Sequence, residues 1–376
     1  MSIRIVHTAD NHIGLSFRQY PAIREKLVEE RFAALGRIVD FANERQAHFL
    51  VVAGDLFDKQ AVSQTDIRKT AAILKRFSGM AVLVLAGNHD FYEGAENKLW
   101  QEFARASQDY DAIHLLLDQG IHSFTCGEEK IHFYACPCPS MHSREPVTGW
   151  VKGTPKTSGE WHIGLAHGNV EGIGMDADQR YFNMTQQDLR DAGLHTWLLG
   201  HIHVPWPNPG FSGNPPFFMP GIHTPDSVKV KHGGHAWYLE LEQGKNIRFE
   251  SFRPGAIAFE RIAMEFSRGG KNAEALQREV QALRSGGLIL DLVLSGRLPA
   301  EERSRLAAWL SEKSSAFLHL SWDLNDVREE LNSAQLSRHW PEGSLPYDLI
   351  RDLMAANPDG DDAQLAMELL EKTRNQ

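Results

Sequence analysis

Five short polar clusters carry residues that bind metal ions and move protons: Asp10-Asn-His12, Gly54-Asp55-Leu-Phe-Asp58, Gly87-Asn88-His89-Asp90, His167-Gly168 and Gly200-His201-Ile-His203. The ligand candidates among them, Asp10, His12, Asp55, Asn88, His167, His201 and His203, are carboxylates, imidazoles and one amide, with no thiolate. Mixed nitrogen and oxygen donors of this kind suit Mn²⁺, Fe²⁺ or Zn²⁺ better than Ca²⁺, and they do not suit a structural zinc. Seven such ligands are too many for one ion that keeps an open position. They are the right number for two ions that share a bridging carboxylate, and a pair about 3.5–4 Å apart orients a phosphate and steadies the oxygens of an in-line displacement.

Each cluster alone has a plainer reading. A single histidine at a strand end is more often a hydrogen-bonded structural residue than a ligand, and Gly-Asn-His-Asp is also a run of good turn formers. What separates this chain from coincidence is placement, because every cluster follows an apolar run: Ile3–Ala9, Phe49–Ala53, Ala81–Ala86, His162–Ala166 and Thr196–Leu199. Runs of this length and composition predict buried strands. Ligands in open α/β sheets gather just outside the carboxyl ends of strands, where loops distant in sequence converge. The glycines beside the clusters let the backbone turn sharply into a site.

The elements that must position these residues alternate along the first two-thirds of the chain. Helices are predicted over Ile23–Glu44 and Ser63–Phe77, with Ser63 as an N-cap, a further strand over Ile131–Ala135, and a closing strand pair His235–Leu241 and Ile247–Phe252 around a Gly244 turn. "FRPGA", Phe252–Ala256, reads as a linker. Beyond it the expected order is β (Ile257–Phe266), α (Asn272–Arg284), β (Leu288–Leu294), α (Pro299–Leu310), β (Ala316–Asp323). Two short amphipathic helices come last, one with Tyr347, Ile350, Leu353 and Met354, the other with Ala363, Ala366, Met367 and Leu370, parted by Asn357-Pro-Asp-Gly.

Composition is that of an ordinary globular protein, 42% hydrophobic and 23% charged over 376 residues. No apolar run reaches the ~20 residues of a membrane span, and "MSIRIVHTAD" enters a strand pattern at once, so the expected location is cytoplasmic. Cys126, Cys136 and Cys138 offer no second pair for a zinc site and read as reduced thiols. The net charge of −10 does not mark a nucleic-acid binder, nor does it exclude one, because metal cations neutralise phosphates where Lys and Arg do not. Of the 18 histidines, all but His319 and His339 precede position 236.

The ordered set Asp-x-His, Gly-Asp-x-x-Asp, Gly-Asn-His-Asp, His-Gly, Gly-His-x-His resembles the calcineurin-like metallophosphoesterase superfamily. "HTADNHIGLSF", "FLVVAGDLFDKQAVS", "VLVLAGNHD" and "RYFNMTQQDLRDAGLHTWLLGHIHVP" narrow the resemblance to SbcD-type DNA repair exonucleases, nuclease subunits that pair with an SMC-like ABC ATPase. The resemblance implies an α/β fold with a two-sheet metallophosphoesterase core and flanking helices, plus a small α/β capping domain. The expected divisions are 1–253 for the nuclease domain, 254–325 for the cap and 326–376 for a helical tail that docks a partner or packs on its own chain. Carried over by position, one metal falls on Asp10, His12, Asp55 and His203, and the second on Asp55, Asn88, His167 and His201. His89 then faces substrate, steadying the phosphorane-like state or protonating the leaving oxygen, and Asp58 orients it. Asp90 is the alternative partner for His89 and reads first as a capping residue after the turn.

The resemblance further implies a phosphodiesterase holding two divalent ions, Mn first and Fe or Zn as alternatives, acting on DNA beside the SbcC-type ATPase and able to form a homodimer. A metallophosphoesterase for small-molecule diesters or monoesters is the competing expectation. Asp58-Lys59-Gln60 stands where the superfamily's protein phosphatases have Asp-Arg-Gly, and Asp90 where they have Glu, both against a protein phosphatase. "PGIHTPDSVKV" replaces the short Gly-Ser turn of SbcD-type chains. Near it, His223, His232 and His235 read as surface or structural residues, Lys229 and Lys231 as ordinary surface, and Trp206, Phe211, Phe217 and Phe218 as anchors of a Pro-rich loop.

Overall fold

The computed structural model describes residues 2–173, 180–208, 211, 213–267, 270–284, 286–331, 333–357 and 362–374. They fall into two compact units, Met1–Ala258 and Phe259–Gln376.

The first unit begins with β1 (Ile3–Thr8), α1 (Arg24–Glu44), β2 (Phe49–Ala53), α2 (Gln64–Leu74), β3 (Ala81–Leu85), α3 (Lys98–Ser107) and β4 (Ile113–Leu116). It continues through β5 (Gly120–Cys126), β6 (Glu129–Cys136), β7 (Trp161–His167), α4 (Gln186–Asp191) and β8 (Thr196–Gly200). The short β9 (Phe217–Phe218) and the pair β10 (Ala236–Leu241) and β11 (Arg248–Phe252) complete it. One sheet has the order β11-β10-β1-β2-β3-β4, the other β5-β6-β7-β8-β9. Neighbours among β1 to β4 run parallel, as do those among β6 to β9.

The unbroken apolar runs of β1 to β3 reflect burial on both faces. Val6, Leu50, Val52, Val82 and Val84 pack under the helices. Their alternates Ile5, Val51, Leu83 and Leu85 meet Phe133, Ile163, Leu165 and Leu198 of the second sheet. The first sheet therefore forms the middle layer, with helices on one side and the second sheet on the other. In α1, Leu35, Ile38, Val39 and Ala42 recur at helical spacing and are buried. Ser63 caps α2, its hydroxyl accepting from the Asp66 amide. The Phe252–Ala256 segment is tied to α1: Phe252 stacks on Phe41 and the Ala256 amide donates to Glu30 at 2.7 Å.

In the second unit, β12 (Ala258–Phe266), α5 (Ala273–Gln281), β13 (Leu288–Leu298), α6 (Ala300–Lys313), β14 (His319–Asp323) and β15 (Val327–Glu329) form a small α/β layer. Ser314–Ala316 is a 3-10 turn, so the last predicted strand starts later than expected. Then come α7 (Ser333–His339), α8 (Leu345–Ala356) and α9 (Asp362–Arg374). The predicted amphipathic faces meet each other: Tyr347, Ile350, Ala363 and Met367 are buried together with Leu336 and Trp340 of the α7 region. The Pro-Asp-Gly part of the expected break lies outside the described residues. Among the described residues no helix is long and apolar enough to cross a membrane, and Cys126, Cys136 and Cys138 are free and buried.

This layering sets the cost of two substitutions. Leu83 is fully enclosed between the sheets, so Leu83→Ala should cost about 2–5 kcal/mol, whereas Leu345→Ala, at a residue 83% exposed, should change stability by less than about 0.5 kcal/mol. Equal shifts in urea midpoint would contradict it. His7 is buried in β1, and that burial, reinforced by His235, lowers its pKa from 6.5 to about 3. The unfolded chain binds this proton near pH 6.5 and the folded chain only near 3, so folding stability falls as pH drops through that window. Wild-type urea midpoints should decline from pH 7 to pH 4 more steeply than those of His7→Phe.

Candidate metal centre

Each polar cluster begins where a strand of one of the facing sheets ends: Asp10 after β1, Asp55 after β2, Asn88 after β3, His167 as the last residue of β7 and His201 directly after β8. The loops brace one another. The Asp10 amide donates to the Gly54 carbonyl at 3.1 Å, the His12 amide to Asp55 at 3.0 Å, and the Asp58 amide to Ile13 at 3.0 Å. Along this ladder the backbone is left-handed at Asp10 (φ 52°), His12 (φ 43°) and Asp55 (φ 52°), and it is so again at His201 (φ 98°), whose amide donates to the Asp10 carboxylate at 3.0 Å. Such conformations cost on the order of 1–3 kcal/mol each for residues other than glycine and cluster at functional sites. Gly87 is required for a different reason: a Cβ there would lie 2.2 Å from Asp55 Oδ1.

The seven expected ligands come together. His12 Nε2 and His203 Nε2 face each other at 3.2 Å. Asp10 Oδ1 is 3.9 Å from His203 Nε2, and Asp55 Oδ2 is 3.8 Å from His12 Nε2 and 3.3 Å from His167 Nε2. Asn88 Oδ1 lies 3.0 Å from His167 Nε2 and 3.1 Å from His201 Nδ1. The groups Asp10/His12/His203 and Asp10/Asp55/His167 each bring their ligand atoms within 4.8 Å of one another, as does His12/Asp55/His89. Asp10, His12, Asp55, Asn88 and His167 are buried, whereas His89, His201 and His203 retain some exposure.

These contacts are those of a donor set arranged around cations. Ring nitrogens of two imidazoles that face each other can share only one proton. Two more converge on a single amide oxygen, and the buried Nδ1 of His12 has no hydrogen-bond partner. Divalent ions would satisfy the facing ring nitrogens and the shared amide oxygen at once, while His12 Nδ1, on the far side of a ring that ligates through Nε2, would keep its proton; the Asp and His clusters fit a dinuclear metal site. The ring of His167 is oriented from behind, its Nδ1 lying 2.9 Å from the Ala53 carbonyl, as expected for a histidine ligand.

Electrostatics agree. Burial pushes Asp10 above the usual carboxylate range. Burial acts on Asp55 in the same direction but is outweighed by His167, which holds it below that range. Burial drags His201 down to about 3 and His12 well below 6.5. His167 is opposed by burial yet carried up to about 9 by Asp55. A divalent cation held by His167 and Asp55 would take the place of the proton they share.

His89 is held at two points. Its amide donates to Asp55 Oδ1 at 2.8 Å, and its Nδ1 is 2.8 Å from the main-chain carbonyl of Asp58. The contact is with the backbone of Asp58 and not with the carboxylate expected as its orienter; that carboxylate lies 3.9 Å from His12 Nδ1. Asp90 caps, accepting from the amides of Gly87 at 2.7 Å and Phe57 at 3.0 Å.

Three contributors carry no recognisable signal in the sequence. Arg31 of α1 is buried and donates from Nε to the Asn11 carbonyl at 2.9 Å; one arginine in a charge-rich helix does not announce that role. Asp226 Oδ2 lies 3.9 Å from His203 Nδ1. Tyr181 packs its ring 4.9 Å from that of His201. Phe217 and Phe218 are buried in β9, and Trp206 stacks on Phe217 with ring centroids 4.0 Å apart. His223 is enclosed with Nε2 3.0 Å from the Arg31 carbonyl, and His232 Nε2 reaches the His203 carbonyl at 2.7 Å.

A profile of the calcineurin-like phosphoesterase family matches residues 3–205, more than half of the chain, and the chain belongs to that family. The uncharacterized metallophosphoesterase YhaO of Bacillus subtilis is 26% identical over 322 residues, 79% of this chain and 72% of that protein. The DNA double-strand break repair protein Mre11 of Methanosarcina acetivorans is 35% identical over 100 residues, 26% of this chain but 15% of that protein. The SbcD component of the Escherichia coli nuclease SbcCD is 35% identical over 91 residues, 23% of this chain and 21% of that protein. Among solved structures, the calcineurin-like phosphoesterase YfkN from Bacillus subtilis aligns at a TM-score of 0.45 and 15% identity over 67% of this chain and 91% of that one.

The close approach at Gly87 yields a direct test. Gly87→Ala should weaken Mn²⁺ binding tenfold or more with an unchanged circular dichroism spectrum; wild-type affinity in titration calorimetry would contradict the steric argument.

Proposed function

We propose that this chain is a two-metal phosphodiesterase acting on DNA, an SbcD-type nuclease subunit that works in the cytoplasm with an SMC-like ABC ATPase. The observation that carries the reading is a histidine, His89, pinned to the carboxylate that joins two sets of metal-grade donors. DNA as substrate is supported by the wording between the motifs and by the DNA-repair and nuclease names of relatives similar over about a quarter of this chain. Leu345, Leu349, Leu365 and Leu369 are exposed on α8 and α9, an apolar surface suited to the ATPase.

In this reading Asp10, His12 and His203 would hold one ion and Asn88, His167 and His201 the other, with the Asp55 carboxylate available to both sets. When bound, a pair of divalent ions, most simply Mn²⁺ for donors without thiolate, supplies Lewis-acid stabilisation of phosphate charge and lowers the pKa of the attacking water. The Asp58 carbonyl only accepts, so His89 Nδ1 carries a proton and its Nε2 is left for the substrate. From Nε2 the ring would hand a proton to the leaving oxygen.

Asp55→Ala and His201→Ala should lose metal and activity together. His89→Ala should keep metal while kcat falls about 10²–10⁴-fold; loss of metal from that variant would make His89 a ligand instead. The substrate class is tested by offering the Mn²⁺ protein linear and hairpin DNA beside bis-p-nitrophenyl phosphate and p-nitrophenyl phosphate. DNA and the diester should be cut, and hydrolysis of the monoester alone would overturn the nuclease reading.

A further inference from the structure

Next to the donor cluster lies a cavity of about 790 Å³, within the size range of small-ligand sites. His203 belongs to both, so the two adjoin at that residue. Its apolar walls include Pro205, Trp237 and Phe249, and its loop wall carries Lys229 and Lys231. Ser251 of β11 lies opposite Trp237 in strand register, on the same face of the sheet.

We propose that this cavity is a nucleoside subsite, taking one unpaired nucleoside of a DNA strand whose adjoining phosphate lies at the donor cluster. The proposal rests on the phosphodiesterase reading and deepens it. The Trp237 indole N–H is already spent on the carbonyls of Met219 at 2.8 Å and Trp206 at 3.1 Å. Trp237, only 6% exposed and packed by Phe218, His235 and Phe249, therefore closes the apolar floor with no free donor, and the partly exposed Phe249 is the wall ring that a base of any kind can pack against. Asn208 and Ser227, also on the walls, can meet polar base edges. Charge places the occupant: Asp226, at the boundary beside His203, repels a second phosphate there, so the uncharged nucleoside enters. Lys229 and Lys231, both on the loop wall, are left for the next phosphate along the strand. A duplex does not fit a cavity of this volume, so the occupant is unpaired. The loop that builds the wall is the stretch replacing the short Gly-Ser turn.

The test uses the full-length Mn²⁺ protein and thymidine 5′-monophosphate as probe. The nucleotide should bind at least tenfold more tightly than inorganic phosphate, and a 5′-phosphorylated oligothymidylate should compete with it. Ser251→Trp, filling the cavity from an exposed strand position, should abolish the tenfold margin. It should also lower at least tenfold the ratio of kcat/KM for thymidine 5′-(p-nitrophenyl phosphate) to that for bis-p-nitrophenyl phosphate. Asn208→Trp repeats the test from another wall, should the first variant not fold. Absence of a margin in the wild type, its survival in both variants, or failure of the oligonucleotide to compete would each overturn the subsite. If the margin is present and lost on filling while no diester is hydrolysed, the subsite stands and the phosphodiesterase reading falls.

Discussion

The Asp55 carboxylate is the point on which the rest of the structure depends. It is almost fully buried, with one oxygen on the His89 amide and the other facing His167 and His12. A carboxylate so enclosed is costly unless opposite charge meets it, and a single proton on His167 answers that need only in part. The demand for positive charge at Asp55 gives the surrounding donors their common purpose.

The fold meets that demand by stacking two sheets so that parallel strands of both end at one place. The Asp10 and Asp55 turns close on each other, and Gly168 on Gly200, through main-chain bonds, the Gly87–Asp90 turn is tied in by carboxylates, and the backbone is left-handed in four ligand-bearing positions. The strain is tolerated because both sheets are anchored in a continuous apolar layer, with Val51, Leu83 and Leu165 sealed from water. Rigid strands hold the donors within ångströms of each other, the condition for charge stabilisation without reorganisation.

Much of this is legible in the sequence. Buried parallel strands announce themselves as unbroken apolar runs, and β2 occupies the residues expected of it, Phe49–Ala53. Polar clusters directly after such runs mark the site. Less is legible where the pattern is mixed. The strands β4 and β5 are absent from the sequence reading, because "IHLL" and "GIHSFTC" interleave histidine and hydroxyl residues on partly exposed faces. The atom by which Asp58 touches His89 cannot be read from residue type, since a backbone carbonyl is offered by every residue. Arg31 and Asp226 act across long sequence separations that no local spacing encodes. The amphipathy of the tail helices is plain from spacing, but which surface their apolar faces meet is a tertiary fact: they meet each other.

The central claim, a pair of cations joined by Asp55, is most directly tested by electron paramagnetic resonance of the Mn²⁺ protein at measured stoichiometry. Two ions per chain with the multiline signal of a spin-coupled pair, collapsing to an uncoupled signal in Asp55→Asn, is the predicted result. A single uncoupled ion per chain at saturation, or a coupled pair that survives the loss of Asp55, would contradict it.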